Sequence, residues 1–163
     1  MLISAICSLH HSSPSNARTI LSPSFGSWET NLQSVPEWLD SWSNLTVLSL
    51  KNNRLNGEVP SAVARITTLI ELVLSHNFLT GKMPDLSKLS TLQLLDLREN
   101  SLDSTLPPLP KGLVNVFLSK NSFSGSIPEQ FVKLEQLQHL DLSNNHLTGT
   151  LLLCSSLSPI LVT

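Results

Sequence analysis

The chain has 163 residues, of which 34 are leucine, 26 are serine and none is tyrosine; 13% are charged and the formal net charge is -2. This length fits one ordinary domain, and 40% hydrophobic residues supply a core, which excludes wholesale disorder. Sparse charge excludes a long coiled coil, the lack of basic excess excludes a nucleic-acid footprint, and no apolar run reaches the ~20 residues that span a bilayer.

The chain opens on a short apolar stretch, Met1 to Leu9, with no positive residues before it, so it does not read as a secretory leader. From His10 to Ser24 the composition turns to Ser, Pro and Asn without periodicity, and residues 1–24 read as a flexible N-terminal tail in which His10 and His11 are solvated. The two cysteines, Cys7 and Cys154, sit near opposite ends with no CxxC pair, which predicts two free thiols rather than a zinc or redox site.

From there a repeat takes over. A half-copy (Asn31, Leu32, Val35, Pro36, Leu39, Trp42) precedes five copies of LxxLxLxxN. The first carries Leu45, Leu48, Leu50 and Asn53, and the second Leu69, Leu72, Leu74 and Asn77. The third carries Leu92, Leu95, Leu97 and Asn100, the fourth Leu113, Val116, Leu118 and Asn121, and the fifth Leu137, Leu140, Leu142 and Asn145. The asparagines are spaced by 24, 23, 21 and 24 residues. In LxL, period-two alternation puts both leucines on one face of a short strand, and stacked copies pair these strands into a parallel sheet. The asparagine amide both donates and accepts, so it can satisfy main-chain groups left inside the turn that follows.

Each copy has a second half, such as Leu55, Gly57, Val59 and Pro60, or Phe123, Gly125, Ile127 and Pro128; the third departs, with Ser104 in the glycine slot. Glycine there permits a positive φ, and proline needs no hydrogen-bond acceptor for its nitrogen. One repeat buries too few side chains to offset the ordering of its backbone, so each needs neighbours on both sides. The repeat unit spans residues 25–150; the fifth copy runs to Leu151, where Leu152 replaces the expected proline, and residues 151–163 read as an aberrant C-terminal tail. A shifted reading frame would account for that break, and sequencing the transcript across Leu151 tests it.

The composite LxxLxLxxNxLxGxIP resembles the plant-specific class of leucine-rich repeat. The stretches VPEWLDSWSNLTVLSLKNN, MPDLSKLSTLQLLDLREN and LEQLQHLDLSNNHLTG resemble the ectodomain of the inactive subfamily of plant leucine-rich repeat receptor-like protein kinases. The resemblance implies an α/β-class, right-handed solenoid with a parallel β-sheet on the concave face and 3₁₀ turns on the convex face. It further implies a non-catalytic module that binds a protein or peptide ligand, or a co-receptor ectodomain, at the extracellular face of the plasma membrane. No kinase signature, paired-cysteine cap or membrane span is present to match the rest of such a receptor, so the competing reading is a truncated receptor fragment without activity of its own.

In such a solenoid the residues between the anchors face outward from the concave sheet, in columns. These are Val47, Glu71, Leu94, Asn115 and His139; then Ser49, Val73, Asp96, Phe117 and Asp141; then Lys51, Ser75, Arg98, Ser119 and Ser143; and last Asn52, His76, Glu99, Lys120 and Asn144. Val73, Leu94 and Phe117 form an apolar patch rimmed by Asp96, Arg98, His139 and Asp141, and this is the candidate partner site. Phe117 is its best anchor. His139, Asp141 and Ser143 mimic a catalytic set, but a strand row lacks the converging geometry a triad requires. Asn44 opens an Asn-Leu-Thr glycosylation acceptor, used only if the chain is secreted. His76 and His146 sit in loop slots as solvated side chains, and no cofactor or metal is implied.

Overall fold

Two leucines two residues apart, recurring every twenty-odd residues, are buried together only if each pair lies on one side of a short strand and the strands stack. The computed structural model describes residues 19–21, 33–42 and 44–149. Its first elements are strand β1 (Thr19–Leu21), the 3₁₀ helix η1 (Glu37–Ser41), β2 (Leu45–Ser49), β3 (Asn56–Gly57), η2 (Val63–Arg65), β4 (Glu71–Val73) and β5 (Phe78–Gly81). They are followed by β6 (Leu94–Asp96), β7 (Ser101–Leu102), β8 (Asn115–Phe117), β9 (Ser124–Ser126), η3 (Glu129–Lys133), β10 (His139–Asp141) and β11 (His146–Thr148). Among the described residues every helical element is 3₁₀. Cys7, Cys154, His10, His11 and the 151–163 tail lie outside the described residues.

The main sheet is parallel, in the order β1-β2-β4-β6-β8-β10, one strand per turn of a solenoid of about five turns. Strand β1 falls within the stretch 1–24 that the composition assigns to the tail; it pairs with β2 through an irregular register at Thr19 and Ile20, so main-chain pairing begins upstream of Phe25. The anchors Leu48, Leu72, Leu95 and Val116 have no exposed surface and form the floor of the core under the sheet.

A second, lateral set of strands follows each asparagine: β3-β5-β7 in one sheet and β9-β11 in another. The interruption coincides with the short third repeat. There Ser104 does not adopt the positive φ of Gly57, Gly81 and Gly125, and the flank narrows to the isolated bridge Thr105↔Ser124. On the convex side, Pro36 and Pro128 lead into η1 and η3 with φ of -71° and -64°, values the pyrrolidine ring fixes in advance. Among the described residues, two repeats lack the expected 3₁₀ helix. In one, the Asp85 carboxylate accepts a hydrogen bond from the Ser87 amide (2.9 Å) in a side-chain turn. In the other, Pro107, Pro108 and Pro110 remove the amide donors that a 3₁₀ helix uses.

The asparagines bind consecutive turns together. The Asn121 amide donates to the carbonyls of Leu118 (3.1 Å) and Ser119 (3.4 Å) in its own turn and to Leu97 (2.9 Å) in the preceding one. Its Oδ1 accepts from the Leu102 amide at 3.1 Å. Asn77, Asn100 and Asn145 repeat the pattern, accepting from Leu55, Leu79 and Phe123. The residue before each asparagine is left-handed: Asn52, His76, Glu99, Lys120 and Asn144 have φ between 54° and 58°. Asn and His tolerate that region better than most side chains. Glu99 and Lys120 are instead held in a charged row, with Lys120 Nζ 2.6 Å from Glu99 Oε1 and His76 Nδ1 2.8 Å from Glu99 Oε2. The Lys120 ammonium, with His76 behind it, holds the Glu99 carboxyl below its ordinary value.

Candidate functional site

Parallel pairing without slippage sets the concave side chains in rows. One row runs Val47, Glu71, Leu94, Asn115, His139, and the next runs Ser49, Val73, Asp96, Phe117, Asp141. Val73 and Phe117 therefore share a row with Asp96 between them, and Leu94 belongs to the neighbouring row. The apolar patch expected from spacing is split by charge. Asp96 is buried, Val73, Leu94, Arg98, Phe117 and Asp141 are half-buried, and His139 is exposed.

The centre of the face is a fixed pair. Arg98 donates through Nε and Nη2 to the two oxygens of Asp96, both at 2.9 Å, and Asp96 also accepts from the Arg98 amide (3.2 Å) and from Ser75 Oγ (3.1 Å). A planar guanidinium held at both ends presents its face, and that face covers the Phe117 ring with Cζ 4.7 Å from the centroid. The Asp96 hydrogen bond raises the Arg98 pKa against the opposing effect of burial, so the cation is permanent. What the site offers is a rigid cation stacked on an aromatic ring, whose row neighbours are Asp96 on one side and Asp141 on the other.

Asp141 is held by serines. Ser143 donates to its Oδ1 from the hydroxyl (2.7 Å) and the amide (3.1 Å), and Ser119 adds a further hydrogen bond. Burial pushes its carboxyl up, but the Ser119 and Ser143 hydrogen bonds and the nearby Arg98 outweigh it and hold the group below its ordinary value. The Ser143 hydroxyl thus donates to the aspartate and not to His139, the reverse of what a nucleophile–base pair needs. A carboxyl with a depressed folded-state pKa stabilises the fold above its unfolded value and loses that contribution as pH falls through the folded value. Ser119→Ala is therefore expected to move the Asp141 titration upward and start acid unfolding at a higher pH; carboxyl NMR titration with acid-unfolding curves checks it, and superimposable curves would refute it.

Other features lie off this face. Among the described residues the most exposed large apolar side chain is Phe78 at 61%, followed by Trp38 at 42%. The spacing did not single out either. Phe78 did leave a signal: its slot after the asparagine holds Arg54, Ser101, Ser122 and His146 in the other copies, all polar. A shallow depression lined by Lys111, Gly112, Lys133, Glu135 and Gln136 shares no residue with the concave rows. Asn44 is exposed in the turn before β2, and the five ladder asparagines are consumed by the scaffold.

The sequence profile described as Leucine Rich Repeat matches residues 44–66, 91–113, 112–134 and 136–158. Receptor-like protein 7 of Arabidopsis thaliana is 37% identical over 126 residues, which cover 76% of this chain and 13% of that protein. A probable LRR receptor-like serine/threonine-protein kinase of the same plant is 42% identical over 128 residues, covering 63% of this chain and 18% of that protein. Among solved structures, the Arabidopsis receptor kinase HAESA, in complex with the peptide hormone IDA and the co-receptor SERK1, superimposes with a TM-score of 0.64 at 34% identity, over 70% of this chain and 20% of that one. The chain thus spans less than a fifth of the length of the two curated relatives.

Proposed function

Because the chain belongs to the leucine-rich repeat family, we propose that residues 25–150 act as a non-catalytic recognition module of a plant cell-surface receptor. The module takes an extended peptide or protein segment along the concave sheet, at the extracellular face of the plasma membrane. Val73, Leu94, Asp96, Arg98, Phe117, His139 and Asp141 form the contact surface, and a co-receptor ectodomain is a second partner of the same kind. The observation that carries this reading is the Arg98 guanidinium fixed by Asp96 over the Phe117 ring. It is a preorganised cation and aromatic at the centre of the sheet, and such residues dominate interface energetics. The complex of the similar receptor kinase with a peptide hormone and a co-receptor supports the partner class. Among the described residues no helix is long and apolar enough to cross a membrane.

The test is an affinity screen of the immobilised chain against secreted plant peptides, followed by substitution. Phe117→Ala is expected to weaken the bound peptide by about 2 kcal/mol, roughly 30-fold. Lys111→Ala, away from the concave rows, is expected to leave affinity unchanged. Equal affinity of wild type and Phe117→Ala would remove the concave centre from the contact surface.

A further inference from the structure

Two aspartates stand at corresponding positions of the concave face, one on either side of Phe117 in its row. Each is reached by a serine two residues beyond its partner on the preceding strand, Ser75 for Asp96 and Ser119 for Asp141. Each also accepts the amide of the residue two places on, Arg98 at 3.2 Å and Ser143 at 3.1 Å. The two settings part at that residue's side chain. Arg98 puts two nitrogens on Asp96, both at 2.9 Å; with the Arg98 amide and the Ser75 hydroxyl these make four donors, which fill a carboxylate. Ser143 puts only a hydroxyl on Asp141, at 2.7 Å; with the Ser143 amide and the Ser119 bond these make three donors, on a group that accepts about four.

Charge follows the same division. Asp96 and Arg98 cancel, and Glu99 is met by Lys120 and His76. Among the described residues no basic side chain forms an ion pair with Asp141. Against the burial that pushes its carboxyl up, the Ser119 and Ser143 hydrogen bonds and the field of Arg98 keep it ionised at neutral pH. Asp96, Arg98 and Asp141 together therefore carry one uncompensated negative charge, half-buried next to an aromatic ring. A carboxylate short of one donor and of a cation is completed by an N–H of a ligand cation, and the Ser143 hydroxyl, which spends its proton on Asp141, keeps lone pairs for a second. We propose that the segment bound along the concave sheet carries an arginine or lysine side chain, and that Asp141 and Ser143 take its cation on the side of Phe117 away from Asp96. The third repeat shows the pairing from within the chain: what Arg98 does for Asp96, the ligand does for Asp141.

The cation site rests on the concave-binding reading, and two measurements on the full chain separate their fates. In the first, N-acetyl-arginine-N-methylamide is titrated into the carbon-13-labelled chain. It is expected to move the Asp141 Cγ resonance and leave that of the filled Asp96 in place, while the norleucine analogue moves neither. Equal movement of the two aspartates, none at Asp141, or movement by the norleucine analogue overturns the open acceptor. In the second, displayed random linear peptides are selected on the immobilised chain. Wild-type binders are expected to share a basic residue at one position, and to bind Asp141→Asn, which keeps an acceptor for Ser143, about tenfold more weakly. Ser143→Arg copies the third repeat; it is expected to melt at or above the wild-type temperature and to select binders without the basic position. Wild-type binders lacking that position, a preference that survives in Asp141→Asn or Ser143→Arg, or a lower midpoint for Ser143→Arg overturns the cation site and leaves the concave reading standing. A wild-type chain that selects no peptide overturns the concave reading and the cation site with it.

Discussion

Asn121→Asp is expected to cost about 3–5 kcal/mol at neutral pH, enough to unfold the centre of an array whose total stability is of order 5–15 kcal/mol. Asn121 is buried, and its amide donates to three carbonyls, Leu97, Leu118 and Ser119. A carboxylate keeps the acceptor for the Leu102 amide, but it sets a negative charge against those three oxygens with no donor left to meet them. The effect carries a pH signature. Burial and the facing carbonyls raise the pKa of the new carboxyl in the folded state, so the variant recovers stability as pH falls through that raised value. Urea unfolding at pH 7 and pH 4 reads both; a midpoint equal to wild type at pH 7 would show that the asparagine is not a structural tie.

Phe123→Ala is expected to destabilise by about 3–5 kcal/mol, the usual range for deleting a buried aromatic ring. Phe123 has no exposed surface, and its main chain lies between turns: the amide donates to Asn145 Oδ1 (3.1 Å) and the carbonyl accepts from His146 (2.8 Å). A cavity here sits between the fourth and fifth repeats, where the loss cannot be confined to one turn. Phe123→Leu is expected to cost under about 1.5 kcal/mol, because Leu55, Leu79, Leu102 and Leu147 hold the same slot in the other copies. Denaturant midpoints for the pair measure it, and equal losses for Ala and Leu would mean the ring is not packing as a core side chain.

Much of this architecture was legible because it is periodic. Leu48, Leu72, Leu95 and Val116 announced a stack through spacing alone, and the asparagine slot announced its hydrogen-bonding task. The column order of the concave residues followed from the same spacing, since parallel strands of equal repeats pair without slippage. What spacing could not carry is contact between side chains of different columns. Arg98 folding back on Asp96 while lying over Phe117 depends on rotamers, and it divides a patch that the letters suggested was continuous. The buried hydroxyl of Thr46, which finds no hydrogen-bond partner among the described residues, is likewise invisible in sequence, where threonine in a strand is unremarked. Strand β1 escaped because Thr19–Leu21 lies in a stretch with no repeat pattern.

The interrupted lateral flank bears on how the array holds together under load. A stack stabilised by nearest-neighbour contacts melts cooperatively only while every junction is comparably strong. The joint at Thr105↔Ser124 lies between the repeat that carries Asp96 and Arg98 and the repeat that carries Phe117. A ligand seated across Arg98 and Phe117, as proposed above, would straddle that joint and add a tie on the concave side between two blocks already joined there by the main sheet and by Asn121. Its binding energy then appears as slowed amide exchange on both sides of the seam, in the turns around Asn100 and Asn121 as well as at the residues it touches.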